Sequence, residues 1–253
     1  MSEQGKTFPE FYITSPQACP YLPGRLERKL FTHLTREKPA ELIDNLLKGG
    51  FRRSQNIAYM PYCDGCHACV SVRVLVDDFE PSRSMRRIMD RNRDLVPRRV
   101  PAVSTSEQYS LFRHYIDTRH GDGGMADMTV LDYAMMVEDS VVDTFCTEYR
   151  QKPENPLEAP SDMSEWPLKA VALCDCLSDG ISMVYSFFDP DEQSRSLGSH
   201  MILEHIEQAR RLGLPYLYLG YWIAGSRKMS YKKRFMPQEH LTPQGWMPLG
   251  KGE

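Results

Sequence analysis

Residues Ser182 to Phe235 constrain the architecture of this chain more tightly than any other stretch. Ser182–Phe188 reads as a strand, Asp189 to Gly198 as a polar turn, and Ser196–Leu212 as a helix. That helix places Leu197, Met201, Ile202, Ile206, Ala209 and Leu212 on one face. Arg210 and Arg211 fall at its C-terminal end, where cations suit the helix dipole, and Gly213 ends it. Tyr216–Ile223 is a second strand, and the basic segment Ser226–Arg234, read as a last helix, follows. Backbone N–H groups at the helix start are unpaired and point at whatever lies between the two strands. Such a place suits a phosphate or an ester oxyanion, and the same pattern also suits an ordinary strand–helix–strand packing unit.

The remaining elements fill in around this unit. Leu26–Leu34 is ambiguous between strand and short helix. Pro39 to Lys48 reads as a helix closed by Gly49 and Gly50, and Phe51–Tyr59 as one strand. A tight loop holds Cys63, Cys66 and Cys69, and Val70–Val76 alternates as a strand. Pro81 and Ser82 open an arginine-rich helix that should stop before Pro97, with Pro97 and Pro101 as a linker. Ser106–Arg119 and Thr129–Glu138 read as helices on either side of a glycine-rich loop, His120 to Met128. Val141–Arg150, Leu168–Leu177 and Ile181–Phe188 read as strands, the last two joined at Ser178-Asp-Gly180. The tail after Pro237 carries no pattern. The expected division is a cysteine-containing α+β module at 1–78, an arginine-rich helix and linker at 79–101, and a larger domain at 102–253. From residue 106 the order is helix, helix, strand, strand, strand, helix, strand, helix. That order resembles N-acetyltransferase-like acyltransferases, whose two central parallel strands splay apart; the expected class is α+β with a splayed mixed sheet. The usual acyl-CoA loop is Arg/Gln-x-x-Gly-x-Gly/Ala. Arg195-Ser-Leu-Gly198-Ser-His200 keeps its first two anchors and sets a histidine where a small residue belongs, which weighs against coenzyme A.

Charge distribution says more than its sum. The net charge is −3, which gives no global drive toward nucleic acid, but seven arginines fall between Arg83 and Arg99 and a second basic cluster spans Arg227–Arg234. Local patches of this kind bind phosphates on an acidic protein, although many are only solvated helix faces. Seven cysteines, an odd number, without an export signal argue against a disulfide framework, and no apolar run approaches membrane-spanning length. A cytoplasmic protein with no membrane partner is the expectation.

Several stretches, in order, then resemble one family. They are Cys19-Pro-Tyr-Leu-Pro-Gly24, Gly50-Phe-Arg-Arg-Ser-Gln-Asn-Ile-Ala-Tyr59, Cys63-x-x-Cys66-x-x-Cys69-Val-Ser-Val-Arg73, His120-Gly-Asp-Gly-Gly-Met-Ala-Asp127, and the segment Gly220 to Phe235 containing Tyr-Trp-Ile-Ala-Gly-Ser-Arg-Lys-Met-Ser-Tyr-Lys-Lys-Arg. The chain is similar there to the aminoacyl-tRNA–protein transferases, in particular the short bacterial branch that moves leucine onto N-terminal aspartate or glutamate. Larger eukaryotic relatives move arginine onto the same acceptors, and the added residue marks a protein for degradation through the N-degron pathway. The resemblance implies leucyl-tRNA and proteins with N-terminal Asp or Glu as partners. Arginyl transfer, or a non-catalytic module that binds acidic N-termini, are the alternatives.

The chemistry asks little of a protein. The donor is an activated ester and the nucleophile an α-amine of pKa about 7.7–8.0, so holding the two together supplies much of the acceleration. A base that removes one proton and a few N–H groups for the oxyanion complete the requirement, and the chain lacks the Gly-x-Ser-x-Gly signature of a serine nucleophile. The ester is expected between Tyr185 and Tyr221, with Asp122 and Asp127 as further catalytic candidates. Each tyrosine equally suits a packing role, and each aspartate a loop cap. Arg195, Ser196 and Gly198 are expected toward the terminal adenosine of the donor, and Arg227, Lys228, Tyr231, Lys232 and Arg234 toward its acceptor stem. Arg52, Arg53 and Arg73 are candidates for the acceptor's acidic side chain. No cofactor is needed for the chemistry. Cys19, Cys63, Cys66 and Cys69 have the spacing to hold zinc or an iron–sulfur cluster, or are reduced thiols that shape a loop. Eukaryotic relatives carry cluster-binding cysteines in the matching module, with Cys66 in register.

Overall fold

The computed structural model describes residues 9–38, 40–121, 123–155, 160–226 and 228–249. Asp122 and Arg227, both singled out above, lie outside the described residues, as does Pro39.

The chain runs β1 (Tyr12–Ile13), β2 (Gln17–Ala18), β3 (Leu26–Glu27), β4 (Lys29–His33), α1 (Ala40–Lys48), β5 (Arg52–Ser54), β6 (Ile57–Pro61) and β7 (Cys69–Leu75). It continues with α2 (Arg83–Arg91), β8 (Leu95–Pro101), α3 (Ser106–Arg119), α4 (Val130–Glu138), β9 (Thr144–Gln151), β10 (Leu168–Leu177) and β11 (Gly180–Phe188). Last come α5 (Leu197–Arg211), β12 (Tyr216–Ile223), β13 (Gln238–Thr242) and β14 (Gly245–Pro248). An eight-stranded sheet ordered β14-β13-β7-β12-β11-β10-β9-β8 dominates, beside a four-stranded sheet β1-β4-β6-β5 and the small β2-β3 pair. The architecture is α+β, as expected. Among the described residues no helix is long and apolar enough to cross a membrane.

Several expectations change. The stretch 26–34 is two strands. Phe51–Tyr59 is a hairpin, because Gln55 takes a left-handed φ of 52° and turns the chain between β5 and β6. The segment containing Pro97 and Pro101 is a strand, not a linker. It lies at the sheet edge beside β9, where a proline without an N–H is tolerated. The tail is the β13–β14 hairpin, and the last helix shrinks to a 3₁₀ turn, Ser230–Arg234. Strand β7, from the first segment of the chain, lies inside the large sheet between β12 and β13.

The sheet separates two layers. On one face α2 and α5 pack Met85, Ile88, Met201 and Ile206 against β7, β10, β11 and β12. The other face is shared: α3 and α4 cover β9–β11 with Phe112, Ile116 and Tyr133, while α1 and the N-terminal strands pack Leu47 and Ala58 in one cluster with Tyr218 of β12. A buried Arg53–Asp175 pair ties β5 to β10 through Nε–Oδ2 at 2.7 Å and Nη2–Oδ1 at 2.8 Å.

Candidate active site

The central opening follows from strand register. Strands β11 and β12 are parallel neighbours and pair over three positions, Gly180–Tyr216, Ile181–Leu217 and Ser182–Tyr218. Each strand then carries a bulge. On β11 the partner register steps from Met183 to Tyr185 and leaves Val184 as the extra residue. On β12 it steps from Tyr218 to Gly220. An extra residue bends and twists its strand, and with one in each the two strands diverge.

Arg52 enters this gap from β5. Its Nη2 donates to the carbonyl oxygens of Met183 (2.6 Å) and Val184 (3.2 Å), which the missing strand pairing leaves available. Gly220 makes room: it holds φ +73°, and a Cβ there would lie 2.7 Å from the Arg52 Cζ. Little space remains, about 10 Å³ bounded by Gly50, Ser182, Tyr218 and Gly220 among others, no more than one water occupies.

Lys232 approaches the same gap from the 3₁₀ turn. The sequence places it on a solvated basic track, yet it is 6% exposed. Its Nζ donates to the Tyr221 carbonyl at 2.6 Å, in the half of β12 that no longer pairs with β11. Burial, then the Arg52 guanidinium, lower its pKa to about 7. Tyr221 anchors the N-terminal module, since its hydroxyl donates to the carbonyls of Gly50 (3.0 Å) and Tyr59 (3.2 Å) and burial pushes its pKa up. Tyr185 stands across the opening, half-buried against Phe112 and Phe187, its pKa raised by burial and by Tyr115. The Tyr231 phenol, 40% exposed, lies within electrostatic reach of Tyr115 and Arg52.

His120 was named only as part of a loop. Its Nε2 lies 3.3 Å from the Tyr115 hydroxyl, and burial, then Lys228 and Arg119, lower its pKa. The glycine-rich loop therefore faces the basic segment. Asp127 is exposed on that loop, and Arg113 Nη1 holds the neighbouring Ala126 carbonyl at 2.7 Å. Lys228 and Arg234 are exposed. No signal in the sequence distinguishes Lys232 from these two. The difference is packing, because the turn buries Lys232 and leaves Lys228 and Arg234 in solvent.

Two of the three acceptor candidates are already neutralised. Arg53 is bound by Asp175. Arg73 pairs with Glu239 at 2.7 Å and lies between Tyr216 (3.5 Å to the ring centroid) and Trp246 (4.4 Å). Arg52 differs from both, because its bonded partners are carbonyls and no carboxylate reaches it among the described residues.

The start of α5 is crowded. Arg195 is buried, with Nε donating to Asn92 Oδ1 at 2.8 Å and Nη2 paired with Asp94. Ser196 adopts a left-handed φ of 56° without a side-chain cap, and a Cβ on Gly198 would meet the Phe188 ring at 3.4 Å. His200 is buried with neither ring nitrogen bonded, and burial, then Arg195, lower its pKa to about 4. A held arginine and a buried imidazole leave little for a pyrophosphate there. Of the arginines from 83 to 99, those on α2 and β8 are exposed, and Arg99 stacks over Phe145 at 3.9 Å.

Cys19, Cys63 and Cys66 all lie within electrostatic reach of Cys69, and Cys66 lines a cleft of about 450 Å³ together with Arg25, Arg28 and Asp64. Burial, then Cys19, Cys63 and Cys66, raise the Cys69 pKa to about 11. The Ala68 N–H and Arg25, whose Nη1 lies 3.2 Å from Sγ, lower that of Cys66. A tetrahedral zinc, with Zn–S about 2.3 Å, requires thiolates about 3.8 Å apart. No three of these thiols lie within 4.8 Å of one another; the described group that does is His114, Asp189 and Asp191 at the surface, where Lys169 already pairs with Asp189. Zinc therefore does not fit the cysteines as they stand.

A mixed sheet that opens after three parallel pairs, with helices over both faces, is the N-acetyltransferase-like acyltransferase architecture. The solved structure described as "Crystal structure of FemX" shares the fold at a TM-score of 0.50 and 11% identity, over 83% of this chain and 68% of that one. Within this class the chain belongs to the arginine-tRNA–protein transferase family, whose N-terminus model matches residues 17–87 and whose C-terminus model matches residues 107–242. Relatives named aspartate/glutamate leucyltransferase align along nearly all of it. The protein from Nitrobacter hamburgensis is 62% identical over 98% of this chain and 95% of its own length. The one from Xanthobacter autotrophicus is 59% identical over 99% and 100%.

Proposed function

We propose that this protein transfers leucine from leucyl-tRNA to the α-amine of proteins that begin with Asp or Glu, in the cytoplasm, and so marks them for degradation. The observation that carries this reading is about 60% identity, end to end, to relatives named for that transfer. The acceptor's carboxylate would meet Arg52, the one of the three candidate arginines without a carboxylate partner among the described residues. A charge-assisted bond in a partly dry gap favours an acidic side chain over a neutral one. The leucyl ester would lie between Tyr185 and the splayed half of β12, with the acceptor stem along Lys228, Tyr231 and Arg234. Arg227 joins this track on sequence grounds alone.

The α-amine attacks the ester carbonyl carbon, the new C–N bond forms, and the ribose oxygen leaves as the C–O bond breaks. Arg52 orients the acceptor, the tyrosine-lined walls exclude water, and the basic segment holds the RNA. Cys19, Cys63, Cys66 and Cys69 would hold an iron–sulfur cluster, whose thiolates stand further apart than those around one zinc ion. Such a cluster would brace the N-terminal module and make it redox-sensitive. Iron in anaerobically purified protein, lost in Cys66→Ala, is the expected result.

The test of transfer uses radiolabelled leucyl-tRNA and arginyl-tRNA in separate arms with a peptide that begins with Asp. Label from leucine is expected. Label from arginine alone makes the protein an arginyltransferase, and label from neither, with the peptide still bound, makes it a recognition module.

A further inference from the structure

We propose that the side-chain amine of Lys232 is the proton acceptor for the attacking α-amine. This rests on the transfer reading above and supplies the base that reading lacks.

The first ground is position. Lys232 is the only buried lysine among the described residues. It reaches the opening where β11 and β12 part, and its Nζ is fixed there by the Tyr221 carbonyl. The second is charge. A buried ammonium normally has a carboxylate partner, whereas none reaches Lys232 among the described residues. Arg52 on β5 faces it and opposes a second positive charge, Tyr221 on β12 offers only its carbonyl, and Tyr231 and Arg234 of its own turn are exposed. The neutral amine is therefore favoured: one N–H donates to Tyr221 and the lone pair remains free.

The other candidates are less well suited. Asp127 stands in water, and the His120 Nε2 lies against the Tyr115 hydroxyl.

The step balances. The acceptor arrives as an ammonium of pKa about 7.7–8.0. Lys232 takes one proton, the freed lone pair attacks the ester carbon, a second proton goes to the departing ribose oxygen, and the third stays on the amide. Lys232 then returns its proton to solvent. An acidic acceptor also prepares its own base, because a carboxylate against Arg52 cancels the field that lowers the proton affinity of Lys232. A neutral acceptor would not.

The experiment is single-turnover leucyl transfer to an Asp-initiated peptide by wild type, Lys232→Met, Lys232→Arg and His120→Asn, with thermal melts of each. Lys232→Met is expected to melt at or above wild type and Lys232→Arg, a permanent cation beside Arg52, below it; both should lose about 10²–10⁴ in rate at saturating peptide, with the peptide KM little changed. The residual rate of Lys232→Met should follow the free-amine fraction of the peptide as pH rises, while wild type levels off at lower pH. His120→Asn should keep its rate. A Lys232→Met rate within tenfold of wild type, on the same pH profile, would overturn the assignment. Wild type that transfers neither amino acid instead overturns the transfer reading, and the assignment falls with it. NMR titration of ¹⁵N-lysine-labelled wild type requires no variant: a Lys232 amine still protonated at pH 9 also overturns the proposal.

Discussion

At the residue scale two buried cations with opposite surroundings can be compared. Arg53 and Asp175 are each 1% exposed at the side chain and joined by a bidentate pair from Nε and Nη2, with Thr144 adding a third bond to the carboxylate at 2.7 Å. Removing one member leaves a bare buried charge. Arg53→Met or Asp175→Asn should therefore lower unfolding free energy by about 3–5 kcal/mol, and the double variant should recover much of it, as measured by urea denaturation. Among the described residues Lys232 has no such partner. Its pKa falls from the usual 10.5 to about 7 on folding, so between those values the unfolded chain binds more protons than the native one. Stability should then rise with pH from 7 toward 10.5, with a contribution of up to about 1.4 kcal/mol per pH unit. Lys232→Met should remove that slope; an unchanged pH dependence of the urea midpoint would contradict the burial described. A sequence shows that residue 232 is basic, but not which lysine of a basic run the turn folds inward.

At the element scale the site is a consequence of two bulges. Gly220→Ala sets a β-carbon against Arg52 and forces a non-glycine residue into left-handed backbone, which alone costs about 1–2 kcal/mol. The expected result is a lower melting temperature together with a raised KM for Asp-initiated peptides, read by steady-state transfer. An unchanged KM would separate Arg52 from acceptor binding. Elements with strong periodicity were legible: β10 and β12 fall at the residues their patterns predict, and α5 within one residue at each end. Those that failed did so for physical reasons. Strand β8 contains Pro97 and Pro101, which a sheet edge tolerates and a propensity reading does not. Strand β13 is Gln-Glu-His-Leu-Thr and owes its extended form to pairing with β7 and β14. Neither bulge leaves a sequence mark beyond one glycine.

At the scale of the whole molecule, β7 joins what sequence alone separates. It hydrogen-bonds to β12 on one side and β13 on the other, and Tyr221 reaches back to Gly50 and Tyr59. Residues 79–253 expressed alone should therefore aggregate or show no cooperative unfolding, and a soluble fragment with a sharp melt would contradict this. The residues proposed to meet the two substrates likewise come from both segments, Arg52 from the first and Tyr185 and Lys232 from the last. Family and fold class were legible because motifs in both segments stand in one order. The convergence of the site was not, because it depends on strand order. The most direct measurement is tandem mass sequencing of an Asp-initiated peptide after incubation with the protein and a mixture of leucyl- and arginyl-tRNA. The account predicts leucine in amide linkage to the original α-nitrogen and no addition to the same peptide begun with Ala. Arginine at that position, or an unmodified Asp peptide, would contradict it.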